Sequence, residues 1–210
     1  MNIVIKKSIK PVKYESAISF LEKRLNDIYT KKGSELIWVL EHKEVYTAGV
    51  SYKSTELLDK SINLIETNRG GKITHHGPGQ VVFYFVIDLS KRGKNIRKLI
   101  SAVENTIIST LKEFKIDTFA DRENIGIWHK RRSKSQTKTE KVAAIGIKVK
   151  KWIAYHGFAL NVSNNLDPYK KIIPCGIKNR GVINLNKIKK QNYMTIKKEL
   201  INNFLFNIRS

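Results

Sequence analysis

Cys175 has the clearest chemical potential of any residue in the chain, since it is the only cysteine among 210 residues. It stands between Pro174 and Gly176, after a helical turn predicted to begin at Asp167-Pro168. Proline fixes the approach to the thiol, and glycine lets the chain bend tightly and leaves backbone N–H groups near the sulfur. This arrangement suits a thiol that attacks a thioester. A lone cysteine is more often a small buried hydrophobic residue, so the position alone leaves both interpretations open.

Histidine and glycine are concentrated in the segment RGGKITHHGPGQ, at residues 69–80. The pattern predicts a hairpin with tight turns. Adjacent residues of a strand point to opposite faces, so the side chains of His75 and His76 would diverge. No cysteine or carboxylate stands nearby at ligand spacing, and we therefore expect no metal site here.

Two further segments lie on predicted strands. Lys141 opens the first, KVAAIGIKV, and His156 opens the second, HGFALNV. A lysine at the start of an apolar strand is usually a solvated strand end. Ala143, Ala144 and Gly146, however, leave so little side-chain bulk that we expect something to lie against this strand.

Taken in order, these segments and IPCGI at 173–177 resemble the lipoyl(octanoyl) transferase family, with motifs RGG-x-x-T-x-HGPGQ, K-[IV]-x-x-x-G, HG-x-ALN and PCG. The resemblance runs from about residue 36, where LIWVLEHKEVYTAG begins, to about residue 177. It implies that Cys175 accepts the acyl group and that Lys141 is paired with it. The acyl pocket it implies is lined by Arg69, Gly70, Gly71, Lys72, Ile73, Thr74, His75, His76, Ala144, Ile145, Gly146, Gly157, Phe158 and Ala159. His75 departs from the pattern, because the family commonly has an aromatic residue there.

The activity implied by the resemblance is an acyltransferase without a cofactor. It would move an octanoyl group from octanoyl-acyl carrier protein, through a thioester on Cys175, to the target lysine of lipoyl domains. Those acceptors would be the E2 subunits of 2-oxoacid dehydrogenases and the glycine cleavage H protein. The alternative is an ATP-dependent lipoate–protein ligase, which shares the fold but needs no cysteine nucleophile. A degenerate, regulatory relative is disfavoured because both Cys175 and Lys141 are present.

The proposed pair has a simple physical basis. A free thiol has a pKa of about 8.5, so little of it is thiolate at neutral pH. A neighbouring ammonium lowers the pKa of the thiol and so increases the reactive fraction. Exchange of thioester for thioester is nearly isoenergetic, and formation of the amide is downhill, so no ATP is required.

The elements that would position these residues predict an α/β (α+β) fold in one domain over residues 1–210. Apolar residues at three- and four-residue spacing predict helices that follow Pro11, begin near Ile96 and begin near Thr195. Strands are predicted at 36–40, 62–65, 72–75, 81–89, 125–128, 142–150 and 152–162. The resemblance adds a mixed sheet with flanking helices and a small second sheet, as in biotin and lipoate protein ligases. The polar segment HKRRSKSQTKTE, at 129–140, is predicted to be an exposed, mobile loop.

Composition restricts the class of protein further. The longest apolar runs are too short to span a bilayer, the N-terminus has no secretory pattern, and one cysteine forms no internal disulfide. We therefore expect a cytoplasmic protein without membrane contact. The formal net charge of +22 would attract acidic partners such as acyl carrier protein, although biased lysine usage explains part of it. No nucleic-acid-binding signature is present, so specific nucleic-acid binding is not expected.

Overall fold

The computed structural model describes residues 2–132, 136–174 and 180–209. In chain order its strands are β1 (Ile3–Lys7), β2 (Glu35–Leu40), β3 (Val45–Ala48), β4 (Leu64–Glu66), β5 (Ile73–His76), β6 (Gln80–Asp88), β7 (Phe119–Ala120), β8 (Ile127–Arg132), β9 (Thr137–Lys150), β10 (Ile153–Asn161) and β11 (Gly181–Val182). Its helices are α1 (Tyr14–Tyr29), α2 (Ile96–Glu113), α3 (Leu185–Ile188) and α4 (Ile196–Asn207).

The strands form two sheets. The larger has the order β1-β2-β6-β10-β9-β8-β7, and β11 pairs with β9 outside this path. Its β1–β2 and β9–β11 pairs are parallel and the other pairs are antiparallel. The smaller sheet has the order β4-β3-β5. The prediction of a mixed sheet with a small second sheet is confirmed.

One face of the large sheet packs against α1. Ala17, Leu21, Leu25 and Ile28 follow the helical spacing and are buried. They join a cluster with the alternate residues of the central strands, which are Leu36, Trp38 and Leu40 of β2 and Val82, Tyr84 and Val86 of β6. Burial of this apolar stripe is the main reason that the predicted helix forms here.

The opposite face packs against α2 and α4. Leu99, Val103, Ile107 and Leu111 of α2 repeat every four residues and are buried. The other residues of the same strands meet them, for example Val81, Phe83, Phe85 and Ile87 of β6. Phe204 of α4 stacks on Phe85 with ring centroids 5.2 Å apart. The central strands are therefore covered on both faces, and their near-continuous apolar sequences follow from this.

The predicted loop at 129–140 is wrong in most of its length. β8 continues to Arg132 and β9 begins at Thr137, so the described parts form antiparallel strands. Polar residues form strands here because the backbone ladder, rather than burial of side chains, supplies the pairing. The same correction moves Lys141 from a strand end to the interior of β9.

A two-residue turn joins β9 to β10. Lys151 and Trp152 both have positive φ, at 54° and 59°. This backbone matches the twist of the flanking strands, although glycine or asparagine is the usual occupant. No helix within the described ranges is both long and apolar enough to cross a membrane.

Candidate active site

A cavity of about 480 Å³ lies between the residues that precede and begin β5 and the α1-facing side of β9 and β10. Its walls include every residue of the predicted acyl pocket except His75, together with Lys141. Three distant parts of the sequence, at 69–76, 141–147 and 156–159, are thus brought together. We call residues 69–74 the roof of the cavity, and the facing strands β9 and β10 its floor.

The roof is held by Arg69. Its Nη2 donates to the carbonyl oxygen of Thr47 at 2.9 Å, to Thr47 Oγ1 at 2.8 Å and to the carbonyl oxygen of Lys72 at 2.8 Å. Its Nη1 donates to the carbonyl oxygen of Gly70 at 3.0 Å. The guanidinium therefore braces the hairpin, and its effect on a ligand is through the position of the roof.

Roof and floor meet at two glycines. A Cβ added to Gly146 would lie 3.1 Å from the carbonyl oxygen of Gly70, and one added to Gly70 would lie 2.9 Å from that of Ile147. The small residues of β9 were expected to have something lying against them, and this is the roof backbone. Gly157 is small for a different reason, since its Cβ would lie 2.0 Å from the carbonyl oxygen of Phe83 in the neighbouring strand.

Lys141 reaches the cavity because of an irregularity in β9. Ile127 is paired with Ala143, yet the next residue, Trp128, is paired with Lys141, so Val142 is an extra residue in the ladder. Such a bulge re-aims the side chains beside it. Without it, Lys141 and Ala144 would point to opposite faces, because they are an odd number of residues apart.

The Lys141 amine is buried at one end of the cavity. The residue is only 4% exposed, its Nζ donates to the carbonyl oxygen of Ile125 at 2.9 Å, and it lies 4.6 Å from the ring centroid of Trp128. A charged group so far from water needs partners of this kind. The structure thus provides a fixed amine next to a ligand-sized space.

Cys175, the predicted nucleophile, lies outside the described residues. The described chain, which ends at residue 174 and resumes at residue 180, is held on both sides of this gap. Ile173 N–H donates to the carbonyl oxygen of Glu56 at 2.7 Å, and Val182 is paired with Lys141 in the β11–β9 ladder. The predicted Asp167-Pro168 turn is present as a 3₁₀ helix over Asp167–Lys171. The role of Cys175 stays a prediction.

Two separate sets of hydrogen bonds fix Tyr84 and His76, which form the polar wall of the cavity. His42 Nδ1 lies 3.0 Å from the carbonyl oxygen of Val12, which only accepts, so His42 Nε2 accepts from the Tyr84 hydroxyl at 2.8 Å. His76 Nδ1 lies 2.7 Å from Gln80 Oε1. Burial lowers the pKa of His42 to about 4 and holds the pKa of His76 well below its ordinary value. Both imidazoles are therefore neutral near pH 7.

His156 lines the cavity through an unusual backbone conformation. By strand alternation it would share a face with Ala154 and Phe158, which belong to the core beneath α2 and α4. Instead its φ is 69°, and its ring stacks on Tyr155 at 4.6 Å on the opposite face. Burial lowers its pKa to about 3. A buried residue in the left-handed region is strained, and such residues are concentrated at functional sites.

His75 is the one predicted pocket residue that does not line the cavity. Its ring packs between Tyr46, with centroids 4.8 Å apart, and Tyr169, at 5.9 Å. His76, by contrast, stacks on Tyr14. The predicted divergence of the two histidines is confirmed. Among the described residues, no group of three or more His, Cys, Asp or Glu is placed to hold a metal ion.

Sequence reasoning missed several residues of the lining, including Tyr84, Asn124, Ile125 and His156. Tyr84 is in an apolar strand and gave no signal beyond its alternation with Val82 and Val86. His156 stood in a quoted motif, but only its positive φ turns it into the cavity. Asn124 and Ile125 line the cavity because β8 pairs with β9. The sequence analysis did not find this pairing, since it predicted a loop at 129–140.

Comparison with known proteins identifies the family. Residues 13–205 match the family described as the lipoyl protein ligase A/B catalytic domain. An octanoyltransferase of Parvibaculum lavamentivorans is 42% identical over 176 residues, which cover 83% of this chain and 78% of that protein. The chain belongs to the octanoyltransferase family. An octanoyltransferase of Ehrlichia chaffeensis is 41% identical over 180 residues, covering 84% of this chain and 82% of that protein.

This member of the octanoyltransferase family is accordingly an acyltransferase. Its fold extends to more distant proteins. A bipartite lipoate protein ligase of Thermoplasma acidophilum superposes with a TM-score of 0.66 at 15% identity, covering 99% of this chain and 85% of that one. At this identity the likeness establishes the shared fold alone.

Proposed function

We propose that this protein transfers an octanoyl group from octanoyl-acyl carrier protein, through a thioester on Cys175, to the target lysine of lipoyl domains. The observation that carries the proposal is the buried Lys141 amine at one end of the cavity. The strand paired with Lys141, β11, begins directly after the chain segment that contains Cys175 and Arg180. The only thiol of the chain therefore belongs, in sequence, to the segment that leads into the strand paired with Lys141, which supports the proposal.

In the first step, the Cys175 thiolate attacks the carbonyl carbon of the octanoyl thioester. A new C–S bond forms, the bond to the sulfur of the carrier breaks, and the departing thiolate takes a proton from the Lys141 ammonium. The ammonium favours the attacking thiolate before the reaction by its charge. After the step, Lys141 is left as a neutral amine.

In the second step, the amine of the target lysine attacks the same carbonyl carbon. A C–N bond forms, the C–S bond to Cys175 breaks, and the neutral Lys141 accepts the proton that the attacking nitrogen releases. The thiolate and the ammonium are thus restored together. The product is an amide, which is more stable than the thioester, so the second step drives the reaction.

The cavity suits the tail of the acyl group. From Lys141, the floor strand runs to Gly146, about 13 Å away at a rise of about 3.3 Å for each of the four ladder steps, since the bulged Val142 adds none. Ala144, Ala159 and the apolar side chains of Ile145 and Val82 line this path. Each methylene buried along it contributes about 0.8 kcal/mol. The polar wall places no charge against the tail.

The acceptors we propose are the lipoyl domains of 2-oxoacid dehydrogenase E2 subunits and the glycine cleavage H protein. The net charge of +22 supports steering of acidic partners. A location in the cytoplasm, the absence of a membrane partner and the absence of a cofactor remain predictions from the sequence.

The proposal is tested by the intact mass of the protein after mixing with octanoyl-acyl carrier protein. We expect a gain of one octanoyl group, which hydroxylamine removes and which Cys175→Ser does not show. The chain has no other cysteine, so the variant contains no competing thiol. Octanoyl transfer by Cys175→Ser that depends on ATP and free octanoate would identify an adenylating ligase instead.

A further inference from the structure

Trp128 of β8 lies beside Lys141, at one end of the cavity. It is buried at 1% exposure, and its indole Nε1 donates to the carbonyl oxygen of Asn124 at 2.8 Å, which fixes the plane of the ring. Lys141 Nζ lies 4.6 Å from the ring centroid. A cation at this distance is attracted by the electron-rich face of an indole, the strongest such partner among the aromatic side chains.

A second cation lies over the same ring. The guanidinium carbon of Arg180 is 4.9 Å from the Trp128 centroid, and Arg180 Nη1 also pairs with Asp121 Oδ2. The hydrogen bond from Arg180 lowers the pKa of the Asp121 carboxyl to about 2, so this ion pair persists at neutral pH. Arg180 follows Cys175 by five residues and precedes β11.

Gly126 closes the Lys141 side of this arrangement. A Cβ at this position would lie 3.0 Å from Lys141 Cε and 3.1 Å from Nζ, and Gly126 has a φ of 140°. The lysine side chain thus runs between the Gly126 backbone and the indole ring. Its position is set by the start of β8 as much as by its own strand.

We propose that Trp128 is a positioning residue that holds Lys141 and Arg180 in one arrangement at the end of the cavity. The inference rests on the proposed function, because it assigns a role in that chemistry. It adds the positioning of the amine by an aromatic ring, which neither Cys175 nor Lys141 supplies. The ring attracts both cations, which would otherwise repel each other, and so fixes the amine relative to Arg180, where the described chain resumes.

The test compares Trp128→Phe with Trp38→Phe. Trp38 is a matched control, since it is 3% exposed, its Nε1 donates to Ser8 Oγ at 3.0 Å and Lys6 Nζ lies 4.4 Å from its ring. It lies in the cluster beneath α1 and lines no part of the cavity. Both substitutions replace an indole by a phenyl ring, which attracts a cation less strongly, and both remove an indole N–H hydrogen bond, so the difference between the two variants isolates the effect of position.

Two quantities are measured for each variant: the rate of Cys175 alkylation by iodoacetamide against pH, and kcat and KM for octanoyl transfer. In Trp128→Phe we expect the half-maximal pH of alkylation to rise by about one unit, because a phenyl ring attracts the ammonium less strongly and places it less firmly. We expect kcat to fall about tenfold with KM within about twofold, as for a misplaced reacting group. In Trp38→Phe we expect the wild-type pH profile and kcat.

Asp121→Asn provides a second variant outside the core, in case Trp128→Phe does not fold. It removes the charge that pairs with Arg180, while the amide oxygen can still accept from the N–H groups of Glu123 and Asn124, and we expect a smaller shift in the same direction. Profiles of Trp128→Phe that coincide with those of Trp38→Phe would overturn the inference, as would an unchanged profile in Asp121→Asn if it alone folds. Failure of the wild-type protein to acquire an octanoyl group would instead refute the proposed function.

Discussion

At the scale of single residues, the site depends on local departures from regular geometry. Val142 is an extra residue in β9 that turns Lys141 toward the cavity, and the positive φ of His156 does the same for its ring. Neither departure follows from residue type. The motifs indicated that Lys141 matters. Only the pairing of the strands shows how it reaches the cavity, because regular alternation would point it to the opposite face from Ala144.

Replacement of Lys141 by methionine should separate its charge from its bulk. We expect the pKa of the Cys175 thiol to rise, because the neighbouring ammonium is lost, and octanoyl transfer to fall by about 100-fold or more. Alkylation rate against pH measures the first effect and steady-state kinetics the second.

Lys141→Arg is the control, since it keeps a positive charge but accepts no proton. It should still become acylated at Cys175 and then pass the acyl group on slowly. A methionine variant with the alkylation profile of the wild type would contradict the proposed pair.

Replacement of Arg69 by lysine should show that this side chain acts by bracing the roof. Lysine lacks the planar fork that makes the four hydrogen bonds, so we expect a loss of about 2–3 kcal/mol in the free energy of unfolding. KM for the octanoyl donor should rise because the roof shapes the cavity. Urea denaturation and kinetics measure the two effects.

Arg92→Lys is the matched control for that experiment. Arg92 is largely covered, with a side chain 11% exposed, and forms a bidentate ion pair with Glu35, away from the cavity. We expect its replacement to reduce stability while KM stays at the wild-type value. An equal change of KM in both variants would show that the effect of Arg69 is general destabilisation.

At the scale of elements, the β8–β9 hairpin is the main difference between expectation and structure. Apolar periodicity correctly predicted α1, α2, α4 and the central strands, because burial selects their side chains. The hairpin residues at 129–140 are polar, so periodicity carried no signal for them. β1, β7 and β11 were missed for related reasons: they lie at sheet edges or contain only two residues.

The hairpin also supports a prediction about partner encounter. Lys130 and Lys138 are exposed on its two strands. Changing both to glutamine should lower kcat/KM by about threefold at low ionic strength and flatten its dependence on salt, because a steering charge is removed. Initial rates from low to physiological ionic strength provide the measurement.

Lys112→Gln with Lys198→Gln is the control of equal charge. These lysines are exposed on α2 and α4, on the opposite side of the large sheet from the cavity. The same salt dependence in both double variants would assign the steering to net charge and exclude a special role for the hairpin.

At the scale of the whole molecule, the sequence predicted the fold class, and its motifs predicted many of the residues that meet at the cavity. That prediction depended on the resemblance to the transferase family, because the roof and floor segments are about 70 residues apart in the sequence and local patterns do not show that they meet. Physical reasoning from single segments gave no register between them. The glycines at 70, 71 and 146 signalled a close approach but not its partner.

Stability of the molecule should fall with acid because buried histidines are held neutral in the folded state. Burial lowers the pKa of His42 to about 4 and that of His156 to about 3, from 6.5. The unfolded chain binds protons at these groups below pH 6.5 and the folded chain does not, so stability is full above that pH and is lost as the pH falls toward 4. For His42 the loss amounts to about 3 kcal/mol.

Urea unfolding at pH 7 and pH 4.5 tests this linkage. The interval lies above the window in which Asp59 and Asp121, whose pKa values are about 2, become protonated. His42→Gln removes one titrating group, so the variant should lose less stability over the interval than the wild type. Parallel losses would mean that His42 is not buried in its neutral form.

The tight connection at Lys151 and Trp152 has a consequence for the order of assembly. The two strands that it joins are adjacent in sequence, so a growing chain can zip them together with little loss of loop entropy. Residues 69–74 are synthesised earlier in the chain and cannot pack until β9 and β10 have formed the surface beneath them. The cavity is therefore complete only after β9 and β10 have been synthesised and have paired. Catalytic competence should accordingly lag behind the appearance of secondary structure.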